Sequence, residues 1–122
     1  MDRKDLEARL IDFSIRIIDL CQCCEFNEFT HHLSKQIVRS SSSSALNYGE
    51  AQSAESRADF AHKLSLVLKE LRETNINLII IDKSGICRQK ESIADLLNES
   101  NELVAIFQKS VTTLNKGRKK QQ

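Results

Sequence analysis

Three of the four cysteines crowd one short stretch of the chain, at Cys21, Cys23 and Cys24, and the fourth is Cys87. Crowded thiols invite a zinc hypothesis, but zinc needs four ligands in a tetrahedron, usually supplied as two spaced pairs. On a helix, Cys21 and Cys24 share the core face whereas Cys23 points elsewhere. We therefore interpret the cysteines as small buried apolar side chains and, for a cytoplasmic protein, expect reduced thiols.

Two pairs resemble half of a carboxylate-bridged metal site, namely Glu28 with His31 and Asp59 with His62. A di-iron bundle needs two Glu-x-x-His pairs and an inward-facing Glu from each of two further helices. Both acids lie at or near predicted helix starts, where capping explains them, and no serine lies in a recognisable nucleophile elbow. We predict no metal, no cofactor and no enzymatic activity, so a metallo-bundle enzyme is the least favoured hypothesis.

Basic side chains are the remaining candidates for chemistry, as ligands of nucleic-acid phosphates. Such contacts require lysine and arginine on one surface and no fixed motif. The candidates near the end of the chain and on the second predicted helix are Lys109, Lys116, Arg118, Lys119, Lys120, Lys35 and Arg39. Repeated around an oligomer, these few charges would act together. The alternative is a tail that only keeps the protein in solution.

Size and composition describe one ordinary domain. The chain has 122 residues, 40% of them apolar, with no proline and three glycines, which suits long uninterrupted helices. The formal net charge is +1, so a generally basic nucleic-acid binder is not indicated and any such role needs a local patch. No apolar run approaches the ~20 residues of a membrane span, and the N-terminus does not resemble a signal peptide. We expect a cytoplasmic location.

The first predicted helix, from about residue 2 to 25, carries two apolar stripes. The core stripe comprises Leu6, Leu10, Phe13, Ile17, Leu20, Cys21 and Cys24. Ile11, Ile15 and Ile18 form a second stripe on roughly the opposite side. Because a monomeric bundle buries one stripe per helix, the second stripe predicts contact with another subunit. The alternative is three isolated exposed isoleucines, which are normal on protein surfaces.

The second predicted helix begins after the N-cap Asn27 and runs to about Ser53. It contains five consecutive serines, Ser40 to Ser44, whose composition alone is typical of a linker. Because the run lacks glycine and proline and apolar residues continue after it, we interpret it as helix. The small serine side chains would then let a neighbouring helix approach closely.

Ser56 is the predicted start of the third helix, and Gly85 fits the position just after its end. Residues 76–81 are apolar almost all round, which leaves a buried strand as an alternative to a helix end covered on two sides. The helix interpretation places Ile79 and Ile80 in the oligomer interface.

The fourth helix is predicted over about residues 88–115, with Ser100 inside its apolar stripe and its hydroxyl bonded to the preceding turn. Four amphipathic segments with short breaks predict an all-α, antiparallel, up-down-up-down four-helix bundle. We assign residues 1–117 to the bundle domain and residues 118–122 to a basic C-terminal tail.

The middle of the chain resembles the bacterial four helix bundle protein family, also called intervening-sequence proteins of the large-subunit ribosomal RNA. The matching stretches are Arg39-Ser40, Asn47-Tyr48-Gly49-Glu50-Ala51, Glu55-Ser56-Arg57-Ala58-Asp59-Phe60 and Leu68-Lys69-Glu70-Leu71-Arg72-Glu73-Thr74. The resemblance implies a left-handed bundle that assembles as a ring, usually a homopentamer, without known catalytic residues. The accessory protein of diversity-generating retroelements, a pentameric ring that binds nucleic acid and a reverse transcriptase, looks like a relative.

Two functional hypotheses follow from these residues and this resemblance. The first is a homo-oligomeric helical scaffold that engages structured RNA or DNA, with a reverse transcriptase or another protein as a further partner. The second is a protein–protein interaction adaptor with no nucleic-acid role, which the near-neutral charge favours.

Overall fold

The structure is a computed structural model that describes the backbone of residues 1–120 and the side chains of residues 1–117. It contains the helices α1 (Arg3–Cys23), α2 (Glu28–Ala51), α3 (Arg57–Ser84) and α4 (Lys90–Lys120). The described residues form no strand, so the all-α class and the four-helix bundle are confirmed. Residues 76–81 lie within α3, and the strand alternative for them is wrong.

Local signals set the helix boundaries as the sequence predicts. Asn27 caps α2, its side-chain oxygen accepting hydrogen bonds from the amides of Phe29 (2.9 Å) and Thr30 (3.0 Å). Ser56 caps α3 by accepting from the Asp59 amide at 3.0 Å. Gly85 ends α3 with a φ of 69°, a left-handed conformation that favours glycine. The Asn27 and Ser56 side chains thus satisfy amides that have no partner inside their own helix.

The serine run is helical and lies in the interior of the bundle, so its interpretation as helix is confirmed. Ser40, Ser41 and Ser44 are fully buried. The Ser40 hydroxyl lies 2.7 Å from that of Thr74 on α3, and the Ser44 hydroxyl donates to the Ser41 carbonyl at 2.6 Å. The small side chains thus bring α2 against α3 while their hydroxyls stay hydrogen-bonded.

The core joins all four helices. Its fully enclosed larger side chains are Leu10, Phe13, Ile17, Ile37, Val67, Leu71, Leu78, Ile93, Leu103 and Phe107. Ser100 is buried among them. Its hydroxyl accepts a hydrogen bond from the side-chain amide of Asn75 on α3 at 3.0 Å, a partner that the sequence did not predict. No buried side-chain nitrogen or oxygen in the described part of the chain lacks a hydrogen-bond partner.

Helix α4 extends past its predicted end at residue 115 and continues through Gly117 to Lys120. A Cβ atom at Gly117 would lie 2.7 Å from Nη2 of Arg57 on α3. The absence of a side chain at Gly117 therefore leaves space for the Arg57 guanidinium. The side chains of residues 118–120 and all of residues 121 and 122 lie outside the described part. The boundary between bundle and tail stays a prediction.

The expectation of four reduced thiols is wrong for two of them, because Cys24 and Cys87 form a disulfide. The bond joins the end of α1 to the loop between α3 and α4, and the two Cα atoms are 5.1 Å apart. Cys21 and Cys23 are free. The spacing of 63 residues gave no hint of this pair, since only the packing of the helices brings the two loops together.

One ion-pair cluster links α1 to α4. Arg9 donates through Nε and Nη2 to the two carboxylate oxygens of Glu99 at 2.8 and 2.6 Å, and it also contacts Glu102. The hydrogen bond from Arg9 is the largest influence on Glu99 and holds the pKa of its carboxyl below the ordinary value, against the opposing effect of burial. A two-pronged contact of this kind fixes the relative position of the two helices.

The buried serine contacts predict that enlarging Ser44 destabilises the protein. Ser44→Leu forces a larger side chain into a filled space and should lower the free energy of unfolding by about 1–3 kcal/mol. Urea denaturation followed by circular dichroism measures the change. Ser42→Leu, at a half-buried position of the same run, is the matched control and should have the smaller effect. Equal losses in the two variants would contradict close packing at Ser44.

The Arg9–Glu99 pair predicts a pH-dependent contribution to stability. Because the pKa of Glu99 is lowered in the folded state, its contribution is complete above the ordinary carboxyl pKa and is lost as the pH falls through the folded value. Glu99→Gln should therefore be less stable than the parent protein at pH 7, and the difference should shrink below about pH 4. Urea midpoints at several pH values measure it, with the exposed Glu7→Gln as control. A difference that stays constant with pH would refute this assignment.

Candidate nucleic-acid interface

The structure separates the predicted basic residues into different regions. Lys109 and Lys116 are exposed on the last turns of α4, whereas Lys35 and Arg39 are exposed on α2. The predicted ligands Arg118, Lys119 and Lys120 continue α4, but their side chains lie outside the described residues. The seven residues are therefore not one surface of a single chain.

One end of the bundle gathers a group of cations, which we call the basic end: Arg3, Arg57, Lys109 and Lys116. Arg3 and Lys109 line an open cavity of about 690 Å³, which is bordered by the start of α1, the end of α2, the start of α3 and the later part of α4. Arg57 reaches α4 beside Gly117, next to Lys116. Asp2 lines the same cavity, and Asp59 lies in the first turn of α3 near Arg57, so acidic side chains accompany these cations.

The sequence did not identify Arg3 and Arg57 as members of this group. Arg3 lies at the start of α1 and Arg57 at the start of α3, each far along the chain from the basic residues of α4. No local pattern reports their proximity, because it depends on how the helix ends pack. The only available signal was the short breaks between the predicted helices, which place alternate helix ends together.

A second basic group, which we call the basic groove, lies between α2 and α3. Arg39, Lys69 and Arg72 line it together with Leu68 and Ile76, around a volume of about 780 Å³. Of these three cations, only Arg39 is predicted from the sequence as a ligand of nucleic-acid phosphates.

Two of the three cations of the groove have hydrogen-bond partners within the chain, and for Arg39 those partners are carboxylates. Arg39 contacts Glu70 at 3.1 Å and Glu73 at 2.6 Å, while Arg72 contacts the Gln108 side chain on α4. Because two carboxylates already contact Arg39, this arginine offers little free charge to a phosphate.

The second apolar stripe of α1 stays outside the core, as its position opposite the core stripe predicts. Ile11, Ile15 and Ile18 are 46%, 51% and 38% exposed. On α3, Ile80 is 45% exposed but Ile79 is half-buried. Ile76, which was not assigned to an interface, is 57% exposed and lies one turn from Ile80. The unpartnered face of α3 is thus formed by residues 76 and 80.

Neither a metal centre nor a membrane span is found in the part of the chain that the structure describes. No group of three histidine, cysteine, aspartate or glutamate side chains there is placed to hold a metal ion. None of the helices formed by residues 1–120 is both long and apolar enough to cross a bilayer.

The sequence of this chain matches a known protein family. Residues 5–109 match the family model described as 23S rRNA-intervening sequence protein. The chain belongs to this family. No curated protein matches the sequence.

A solved structure supports the same assignment. This chain is 30% identical, with a TM-score of 0.78, to a protein of unknown function from the S23 ribosomal protein family from Bacteroides thetaiotaomicron. The match covers 92% of this chain and 99% of the other. These two matches confirm the predicted resemblance to the intervening-sequence proteins of the large-subunit ribosomal RNA.

Proposed function

We propose that this member of the 23S rRNA-intervening sequence protein family is a non-enzymatic, homo-oligomeric helical scaffold that binds structured RNA or DNA. The observation that carries the proposal is the basic end, where Arg3, Arg57, Lys109 and Lys116 come from three helices. Cations on one surface are what phosphate contacts require. The family name favours ribosomal RNA over DNA as the nucleic acid that is bound. It likewise favours a role beside ribosomal RNA over a role as the partner of a reverse transcriptase.

The scaffold is an antiparallel bundle in this proposal. Three contacts support that arrangement: Glu50 late in α2 meets Lys63 early in α3 at 2.8 Å, Arg39 meets Glu73 further along α3, and Asn75 meets Asn101. Between α2 and α3, the residue number in α2 falls from 50 to 39 as that of its partner in α3 rises from 63 to 73, which is the pattern of two antiparallel helices. This direction collects the N-terminal ends of α1 and α3 with the C-terminal end of α4, which assembles the basic end.

Oligomerisation is needed because one basic end carries few charges. The formal net charge of +1 provides no general attraction for nucleic acid. Several copies in one assembly present the same four cations repeatedly, and linked sites bind more tightly than separate ones. The exposed isoleucines of α1 and α3 supply apolar surface for that contact. The ring shape and the pentamer rest on the family resemblance.

A protein-interaction adaptor is the second candidate. Phe26 and Phe29 are the observation that favours it, because both are largely exposed between α1 and the first turn of α2. Exposed aromatic side chains are typical of protein contact sites. These residues lie at the opposite end of the bundle from the basic end, so the two functions are separable by mutation.

Nucleic-acid binding predicts a strong dependence on salt. A fluorescent RNA hairpin should bind the protein at 50 mM salt, and affinity should fall steeply towards 200 mM as counterions return to the phosphates. Lys109→Gln combined with Lys116→Gln should weaken binding about tenfold or more and reduce the salt slope. Fluorescence polarisation measures both quantities, and a DNA hairpin of the same sequence compares the two nucleic acids.

The matched control removes two exposed lysines from the other end of the bundle. Lys83→Gln combined with Lys90→Gln changes the net charge equally and should leave affinity nearly unchanged. No binding at 50 mM salt, or equal losses in the two double variants, would overturn the basic end as the binding surface. Recovery of a specific protein from nuclease-treated lysate, lost in Phe26→Ser, would then favour the adaptor.

The isoleucine stripe predicts a self-association that mutation disrupts. Ile15→Asp places a charge at the centre of the apolar stripe, so the assembly should dissociate into smaller species while the helical circular dichroism stays unchanged. Sedimentation velocity over a range of protein concentrations measures the change. Leu46→Asp, at an exposed leucine on α2, is the control and should leave the assembly intact. A parent protein that sediments as a single chain would refute the proposed oligomer.

A further inference from the structure

The four cysteines meet at the end of the bundle opposite the basic end. Cys24 is bonded to Cys87, Cys21 is half-buried, and Cys23 is exposed. A disulfide with free thiols beside it can rearrange, since thiol–disulfide exchange requires only a thiolate that reaches one of the bonded sulfurs. The position of each free thiol decides which of them can do so.

Cys21 is aligned with Cys24 by the way α1 ends. Cys24 follows the last helical residue, and its amide donates to the carbonyl of Cys21 at 3.3 Å. This is a bond across three residues, as in a 3₁₀ turn, where side chains three apart lie over one another. Two Cα atoms three residues apart in a 3₁₀ turn are about 6 Å apart, which is within the range that disulfides bridge.

The surrounding cavities place the two thiols differently. Cys21 and Cys24 both line a cavity of about 370 Å³ between α1 and α2, together with Ile18 and Phe26. Cys23 instead lines a separate cavity between α1 and α4 beside Arg16 and Gln89. Cys21 and Cys24 therefore line the same open groove, whereas Cys23 lines a groove on the other side of α1.

We propose that Cys21 is the exchange partner of the Cys24–Cys87 disulfide, which makes that bond a reversible clamp. The Cys21 thiolate attacks Sγ of Cys24, the Cys24–Cys87 bond breaks, and a Cys21–Cys24 bond forms. Cys87 leaves as a thiolate. It takes up one proton from solvent, which balances the proton that Cys21 gave to solvent before the attack. One disulfide and two thiols are present before and after, so no external oxidant or reductant is consumed.

The two disulfides constrain the fold differently. The Cys24–Cys87 bond ties α1 to the loop between α3 and α4, across 63 residues of sequence. The Cys21–Cys24 bond is local to the end of α1 and leaves that loop unattached. Burial raises the pKa of the Cys21 thiol, with a hydrogen bond to Ser34 acting in the opposite direction. Exchange should therefore be slow near neutral pH and faster as the pH rises.

Peptide mapping distinguishes the two bonds. Trypsin cleaves after Arg16, Lys35, Lys83 and Arg88, so residues 17–35 carry three cysteines and residues 84–88 carry only Cys87. Oxidised full-length protein is equilibrated at pH 8.5, quenched with acid, alkylated and digested without reductant. The clamp links the two peptides. The exchanged form gives residues 84–88 alkylated at Cys87 and residues 17–35 with an internal disulfide and alkylated Cys23.

Serine variants test which thiol reacts. The exchanged form should appear in the parent protein and in Cys23→Ser, and it should be absent from Cys21→Ser. Absence of the exchanged form from the parent protein would overturn the proposal. Its persistence in Cys21→Ser, with Cys23 in the internal bond, would also overturn it by assigning the exchange to the wrong thiol.

A second variant tests the reactivity of the pair without the clamp. The Cys87→Ser variant is treated with glutathione disulfide. The Cys21–Cys24 bond should form in at least about tenfold excess over any disulfide that involves Cys23. Each bond formed releases two molecules of reduced glutathione. Hydrogen exchange of the backbone amides in residues 84–89 should be faster in this oxidised variant than in the clamped protein. Predominant bonding through Cys23, or unchanged exchange in this loop, would contradict the clamp. The outcome is independent of nucleic-acid binding.

Discussion

The close approach of α2 to its neighbours is the constraint on which the bundle depends. Ser40, Ser41 and Ser44 occupy no more space than the narrow gap beside α1 and α3 allows. Their hydroxyls are satisfied within the interior, by Thr74 of α3 and by carbonyls of α2 itself. Buried polar groups are tolerated only with such partners, so small size and hydrogen-bonding capacity are both required at these positions.

That tight packing leaves each end of the bundle with its own chemistry. At one end, the packed termini of α1, α3 and α4 bring cations together although the chain as a whole is nearly neutral. At the other end, the loops after α1 and α3 bring Cys24 to Cys87. Each end thus carries a feature that arises from the juxtaposition of segments distant in sequence.

The sides of the bundle carry the apolar surface that the core does not absorb. Ile11, Ile15 and Ile18 on α1, with Ile76 and Ile80 on α3, extend along the helices and not around their ends. In the proposed assembly, copies associate through these faces and the basic ends stay accessible. The proposal thus assigns self-association and phosphate contacts to separate surfaces of one small domain.

Local sequence determined the helices, because periodicity and capping act within one or two turns: Asn27, Ser56 and Gly85 each mark a helix boundary where predicted. The absence of glycine and proline and the apolar residues that follow likewise predicted the helical serine run. Only tertiary structure decided the Cys24–Cys87 pair, the addition of Arg3 and Arg57 to the basic end, and the large exposure of Ile76. These depend on distances between segments far apart in the chain, and such distances leave no periodic pattern in the sequence.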